Sequence, residues 1–183
     1  MKFSETPLSG VWLIEPERIE DERGFFARVF DADEFAPRDM HTFWPECSIS
    51  FNRKAGTLRG MHWQEEPFAE IKLVRCTSGA IYDVALDLRP DSSTFKNSFA
   101  VELSAENRQL LYIPQGCAHG FQTLQDNSEV FYQISTFYDA PSARGVRFDD
   151  PAFAIKWPLP VSVISQRDAG YSLMSANKEA IGG

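Results

Sequence analysis

Residues 80 to 88, AIYDVALDL, alternate with a period of two. Tyr82, Val84, Leu86 and Leu88 share one face, and Asp83, Ala85 and Asp87 share the other, as a half-buried strand requires. On that parity Asp83 opposes the apolar face and reads either as a solvent-facing residue or as part of a site. Similar short runs recur in IKLVRC, NSFAVEL, QLLYIP, EVFYQIS and VRFDDPAFAI, separated by turn-forming stretches such as TSG, RPDSS, PQG and LQDNS. Each run predicts a strand. Helical patterns are confined to short pieces near DADEFA and after RDAGY, and neither βαβ alternation nor an internal repeat is present. The pattern predicts an all-β chain, a jelly roll or small barrel with short peripheral helices, forming a single domain over residues 1–183. A closed β architecture manages its sheet edges and leaves an interior that can hold a ligand.

Composition narrows the function classes. Hydrophobic residues make up 43% of the chain and aromatics 13%, enough for a packed core. A formal net charge of −8 argues against a nucleic-acid-coating surface, so any anion site must be local and preorganised. Cys47, Cys76 and Cys117 lack the spacing of a metal knuckle and are odd in number, which points to free thiols in a reducing compartment. The N-terminal stretch has no signal-like apolar run, and no segment approaches the roughly 18 apolar residues of a membrane span. A soluble, cytoplasmic protein is expected.

Only three histidines are present, His41, His62 and His119. His41 lies in a loop-like stretch, PRDMHTFWP, without a charged partner in register, and is assigned no role. His62, in GTLRGMHWQ, and His119, in IPQGCAHGF, both lie near glycines that allow tight turns or close backbone approach. A metal site of the barrel type needs about three or four converging ligands. Here Gln64 stands where a second histidine would be needed, and Glu65 and Glu66 are the only further donors nearby. Ligand counting therefore predicts a site without metal. As a general base, a histidine needs a carboxylate to fix its tautomer and stabilise the imidazolium. Asp83 and Asp168 are both available, and the sequence does not choose between them; Asp168 also suits a helix N-cap. Lys72 shares strand parity with Val74 and Cys76, so an inward face would place its ammonium inside the barrel, where it needs an anion; the alternative is an outward edge-strand lysine. Tyr132 shares parity with Val130 and Ile134 and reads as an inward phenol, catalytic or merely packed. Arg23, in DERGFF, and Arg59 suit bidentate phosphate contact or a plain surface role.

Taken in order, DERGFF, GTLRGMHWQ, KLVRCTSGAIYDVALDLR, LSAENRQLLYIPQGCAHGF, YQISTFY and DDPAFAIKWP through SQRD resemble the dTDP-4-dehydrorhamnose 3,5-epimerase family, from about residue 10 to residue 170. The resemblance implies a cupin-like jelly roll that acts as a homodimer without metal. It implies epimerisation at C3 and/or C5 of a nucleotide-linked 4-keto-6-deoxy sugar, with a nucleoside-diphosphate 4-keto sugar as partner and neither nucleic acid nor membrane. By position, His62 is the implied base, Asp168 its partner, Tyr132 the acid on the opposite ring face, and Lys72 the group facing the C4 oxygen. His119, Arg23, Arg59 and Arg167 are the implied substrate contacts. Removing a proton beside a ketone requires stabilisation of the developing enolate oxygen, which a nearby cation supplies.

The chain departs from the family pattern at several substrate-contacting positions. Cys47, Ser48 and Ile49 replace a Gln-Asp-Asn stretch, Arg28 and Ala143 each replace a glutamate, and Glu70 replaces a glutamine near the lysine. The catalytic set is intact while the nucleotide-side set is altered. A single-carbon epimerase, an enzyme for another nucleotide, a non-catalytic sugar-nucleotide-binding cupin and a metal-dependent oxygenase are the rival readings. The retained His62 and Tyr132 oppose the binding module, and ligand counting opposes the oxygenase.

Overall fold

The computed structural model describes residues 1–174. In chain order its strands are β1 (Lys2–Glu5), β2 (Trp12–Glu15), β3 (Arg18–Asp21), β4 (Gly24–Ala27), β5 (Glu46–Asn52), β6 (Thr57–Gln64), β7 (Lys72–Ser78), β8 (Ala80–Asp87), β9 (Ser98–Ser104), β10 (Leu110–Ile113), β11 (Cys117–Thr123), β12 (Ser128–Ile134), β13 (Ala143–Gly145) and β14 (Val163–Ile164). Two four-residue helices, α1 (Ala32–Phe35) and α2 (Gln166–Ala169), lie outside the sheets. One sheet runs β1-β2-β10-β7-β12-β5 and the other β13-β6-β11-β8-β9, all antiparallel neighbours. β14 joins β6 in parallel, and β3 and β4 form a separate hairpin. This is the expected jelly roll with short peripheral helices.

Between the sheets, Val74, Cys76, Leu111, Ile113 and Val130 from the first pack against Ile81, Ala85, Leu103, Cys117 and Phe121 from the second. Each large apolar side chain buried there contributes about 1.5–3 kcal/mol relative to exposure. The outward face of the second sheet is covered as well. Val84, Leu86 and Leu88 pack there with Met61 and Ala118 against Val146, Phe153 and Trp157 of the later chain.

That cover corrects the reading of β8. Its period of two is present, but both faces are buried. Tyr82, Val84, Leu86 and Leu88 meet the covering segment, while Ile81, Asp83 and Ala85 point between the sheets. Asp83 is therefore fully buried and not solvent-facing. The cover also corrects VRFDDPAFAI, which is not a strand beyond Gly145. The buried Asp150 accepts a hydrogen bond from the Ala152 amide at 2.9 Å, and Pro151 has no amide hydrogen to offer a ladder, so the run turns instead of pairing. Near the C-terminal end, the short helix lies at Gln166–Ala169, ahead of the expected position after RDAGY. Ser165 caps it, so Asp168 is freed from the cap role.

Two close approaches fix the geometry around β6. Gly60 has φ +123°, and a Cβ there would lie 2.5 Å from the Gly120 Cα, so the glycine pair lets β6 and β11 meet where the ladder shifts register. Farther along, Gln122 exchanges two 2.9 Å hydrogen bonds with the Leu159 backbone, and the Ser162 amide donates to the Gly56 carbonyl at 2.9 Å. These bonds dock the late chain beside β6 and deliver α2 to it.

Candidate active site

A cavity of about 600 Å³ opens between the sheets. From β6, His62 reaches into it. The imidazole Nε2–H donates to Asp168 Oδ1 at 2.7 Å, and the second carboxylate oxygen accepts the Gly60 amide at 3.2 Å. Burial works to raise the Asp168 carboxyl, but hydrogen bonds from His62, Gly60 and Ser165 outweigh it and hold the group below its ordinary value. An ionised carboxylate on Nε2 leaves Nδ1 of His62 with the free lone pair. Beside this ring stands Tyr171, edge-on with centroids 6.1 Å apart, packed so closely on Gly145 that a side chain there would collide with it.

From the first sheet, β12 directs Tyr132 and β7 directs Lys72 into the same cavity. Burial, reinforced by the Asp83 carboxylate, pushes the Tyr132 phenol well above its ordinary value, and Arg59 and Ser50 offset only part of this. The phenol is thus held protonated. Lys72 is inward, the first of the two placements its parity allowed: Nζ donates to Glu70 Oε1 at 2.7 Å and to the His62 carbonyl at 3.3 Å. His119, on β11, forms a second pair, Nε2 to Asp83 Oδ1 at 2.7 Å, with its ring edge-on to Tyr132 at 6.0 Å. Sequence reasoning left Asp83 open because its strand hid which face was inward.

Arg59 lines the cavity with its Nε donating to Asn52 Oδ1 at 2.8 Å, and Arg167 reaches it from α2 with Nε donating to the Tyr171 hydroxyl at 2.7 Å. Arg23 is not brought in. It sits at the β3–β4 turn, 89% exposed and paired with Asp21, away from the cavity of its own chain. Among the altered positions, Ser48, Glu70 and Ala143 line the cavity, whereas Ile49 is exposed and Arg28 pairs with Asp31 outside it. Trp63, Tyr138 and Arg144 also line it without having been anticipated; Tyr138 and Arg144 lie in stretches with no strand periodicity to orient them. His41 packs edge-on against Trp44 at 5.3 Å, a structural place consistent with its lack of an assigned role.

Among the described residues, no three His, Cys, Asp or Glu side chains cluster as metal ligands, and no helix is long and apolar enough to cross a membrane. The arrangement can move protons: a carboxylate-backed imidazole on one sheet, a protonated phenol and an ammonium on the other.

Comparison with known proteins agrees with this chemistry. The dTDP-4-dehydrorhamnose 3,5-epimerase family profile matches residues 5–176. The dTDP-4-dehydrorhamnose 3,5-epimerase of Sinorhizobium fredii is 40% identical over 170 residues, covering 92% of this chain and 87% of that protein. The crystal structure of the enzyme of that name from Elizabethkingia anophelis superposes with a TM-score of 0.93 at 36% identity, covering 97% of this chain and 98% of the other. A dTDP-6-deoxy-D-glucose-3,5-epimerase from Legionella pneumophila, solved in complex with dTDP-4-keto-L-rhamnose, superposes with a TM-score of 0.88 at 34% identity over 95% of this chain and 93% of that one. The chain belongs to the dTDP-4-dehydrorhamnose 3,5-epimerase family, and is an enzyme of its epimerising, cupin-like kind.

Proposed function

We propose that the cavity binds a dTDP-linked 4-keto-6-deoxy sugar and inverts C3, C5 or both by removing and returning protons beside the ketone. The observation that carries this reading is the pairing of His62 with Asp168 on one wall while Tyr132 and Lys72 enter from the facing sheet. His62 Nδ1 takes the carbon-bound proton, and the electron pair left behind moves through the adjacent carbonyl to its oxygen. The Lys72 ammonium stabilises that enolate. Tyr132 then gives its hydroxyl proton to the same carbon from the opposite side, and the C–H bond re-forms with inverted configuration. Proton exchange with solvent resets both groups, so the net change is an isomerisation that needs no metal or redox partner. His119, Arg59 and Arg167 serve as substrate contacts. The complex of the Legionella enzyme with dTDP-4-keto-L-rhamnose supports the class of substrate.

The working form in this reading is a cytoplasmic homodimer. Ile19 and Phe26 on the β3–β4 hairpin, and Ile49 and Phe51 on the edge strand β5, are large apolar side chains left exposed in one chain. A second copy would cover them, and Arg23 on the same hairpin would reach substrate only in that assembly. Sedimentation giving a monomer at micromolar concentration would refute the dimer.

The test of the activity is incubation with dTDP-4-keto-6-deoxyglucose and other nucleoside-diphosphate 4-keto sugars in deuterated water after chelation. One deuterium per inverted carbon is expected, and the count separates single from double epimerisation. Exchange that persists in His62→Ala at the native rate would remove His62 from the role of base.

A further inference from the structure

Lys72 carries three ammonium N–H bonds, and two of them are taken by the protein. One goes to Glu70 Oε1 at 2.7 Å and one to the backbone carbonyl of His62 at 3.3 Å. Among the described residues no third protein partner lies within hydrogen-bond distance, and Lys72 and Glu70 both line the cavity. The side chains of the pair are only 11% and 10% exposed, so most of the surroundings of each charge is protein.

We propose that Glu70 is a positioning residue, which together with the His62 carbonyl pins the Lys72 ammonium so that its remaining N–H is aimed at the oxygen that becomes an enolate. The second anchor is the carbonyl of the base residue itself, so the cation and the base share one frame across the two sheets. A lysine stem has four rotatable bonds, and an ammonium free to turn would have to be oriented during each turnover. Holding it beforehand places that ordering outside the reaction step. The Glu70 carboxylate sets a full negative charge against the ammonium at 2.7 Å, and a charge-assisted hydrogen bond of this kind fixes the aim of Lys72 more firmly than a neutral acceptor would.

The proposal rests on the proton-transfer reading above, and its test is a double-mutant cycle followed by deuterium exchange and by steady-state kinetics. Glu70→Ala should lower kcat about tenfold to a hundredfold while KM moves less than about threefold, since aim matters most when the enolate charge develops. Glu70→Gln should recover most of that loss, and because it keeps the hydrogen bond it also guards against a variant that simply fails to fold. In a Lys72→Met background, Glu70→Ala should lower kcat by less than about twofold, because a residue acting through Lys72 has nothing left to position. A loss that is undiminished in the Lys72→Met background, or one confined to KM, would overturn the proposal alone. Wild-type protein that exchanges no proton of any 4-keto sugar would overturn it together with the reading beneath it.

Discussion

Asp168→Asn separates the two duties of this carboxylate, because both of its oxygens are acceptors. Oδ1 takes the His62 Nε2–H at 2.7 Å and Oδ2 takes the Gly60 amide at 3.2 Å. An asparagine has one acceptor and one donor end and cannot satisfy both. With its oxygen on Gly60, the amide NH₂ faces Nε2, drives the proton of the neutral ring onto Nδ1, and removes the lone pair that takes the substrate proton. With its oxygen on His62, two N–H groups confront each other at a side chain only 6% exposed, at about 1–3 kcal/mol for the unpaired donor. The imidazolium formed in the reaction also loses its counter-charge. At about 4 Å and an effective dielectric of 20 that attraction is about 4 kcal/mol, and we halve it to about 2 kcal/mol because His62 is 36% exposed. Tautomer and charge together give a fall in the deuterium exchange rate of about a hundredfold to a thousandfold, with a lower thermal midpoint. The assay is label incorporation by mass spectrometry alongside a thermal melt. Exchange within threefold of wild type would refute the assignment of Asp168 as the residue that sets the base.

Tyr132→Phe should keep the ring packing and lose only the donated proton, so label should enter with retained configuration and little epimer should form; inversion at the native rate, read by NMR, would return Tyr132 to a packing role. Arg23→Ala should raise KM at least severalfold in a salt-dependent way and leave kcat nearly unchanged, and a KM unmoved at low ionic strength would separate the hairpin from the substrate. At Asp87, burial works to raise the carboxyl but is outweighed by the Arg89 guanidinium and the Ser92 and Thr94 hydroxyls, which hold it far below its ordinary value. A depressed folded-state value stabilises the fold above the unfolded pKa of about 3.9 and ceases to do so as pH falls toward the folded value. Asp87→Asn should therefore lower stability to urea at pH 7, and the gap from wild type should shrink progressively below about pH 4; a gap constant from pH 7 to pH 3 would show that ionisation of Asp87 is not its source.

Period-two patterning made the strands legible and grouped Lys72 with Val74 and Cys76 and Tyr132 with Val130, the faces that the structure turns between the sheets. It failed to orient β8 because alternation reports which residues share a face and not which face is inside. The deciding fact is the cover laid on the outer face by Val146, Phe153 and Trp157, some sixty residues or more later in the chain. That cover settles the choice the sequence left open for Asp83, which is a buried partner of His119. Arg23 shows the opposite limit. Its motif is plain in the sequence, but the hairpin that carries it lies away from the cavity of its own chain, and period-two patterning says nothing of where a hairpin sits relative to a site.

The two histidine–aspartate pairs have the same atoms in contact at the same 2.7 Å, so bond geometry alone does not distinguish a base from a binding group. Burial does. His62 and Asp168 are 36% and 6% exposed, whereas His119 and Asp83 are 5% and 0% exposed. A base that removes a carbon-bound proton and sees it replaced from the opposite side must shed that proton to solvent before the next turnover, and only the half-exposed ring has a path to water. The enclosed pair has another effect: the Asp83 carboxylate, whose second oxygen has no partner among the described residues, helps keep the Tyr132 phenol protonated. His62 thus draws its carboxylate from a chain segment 106 residues away that docks at the cavity mouth, while His119 draws its own from the neighbouring strand inside the wall. In the proposed reaction the same side-chain pair serves as a proton acceptor where the fold leaves it wet and as an electrostatic brace where the fold keeps it dry.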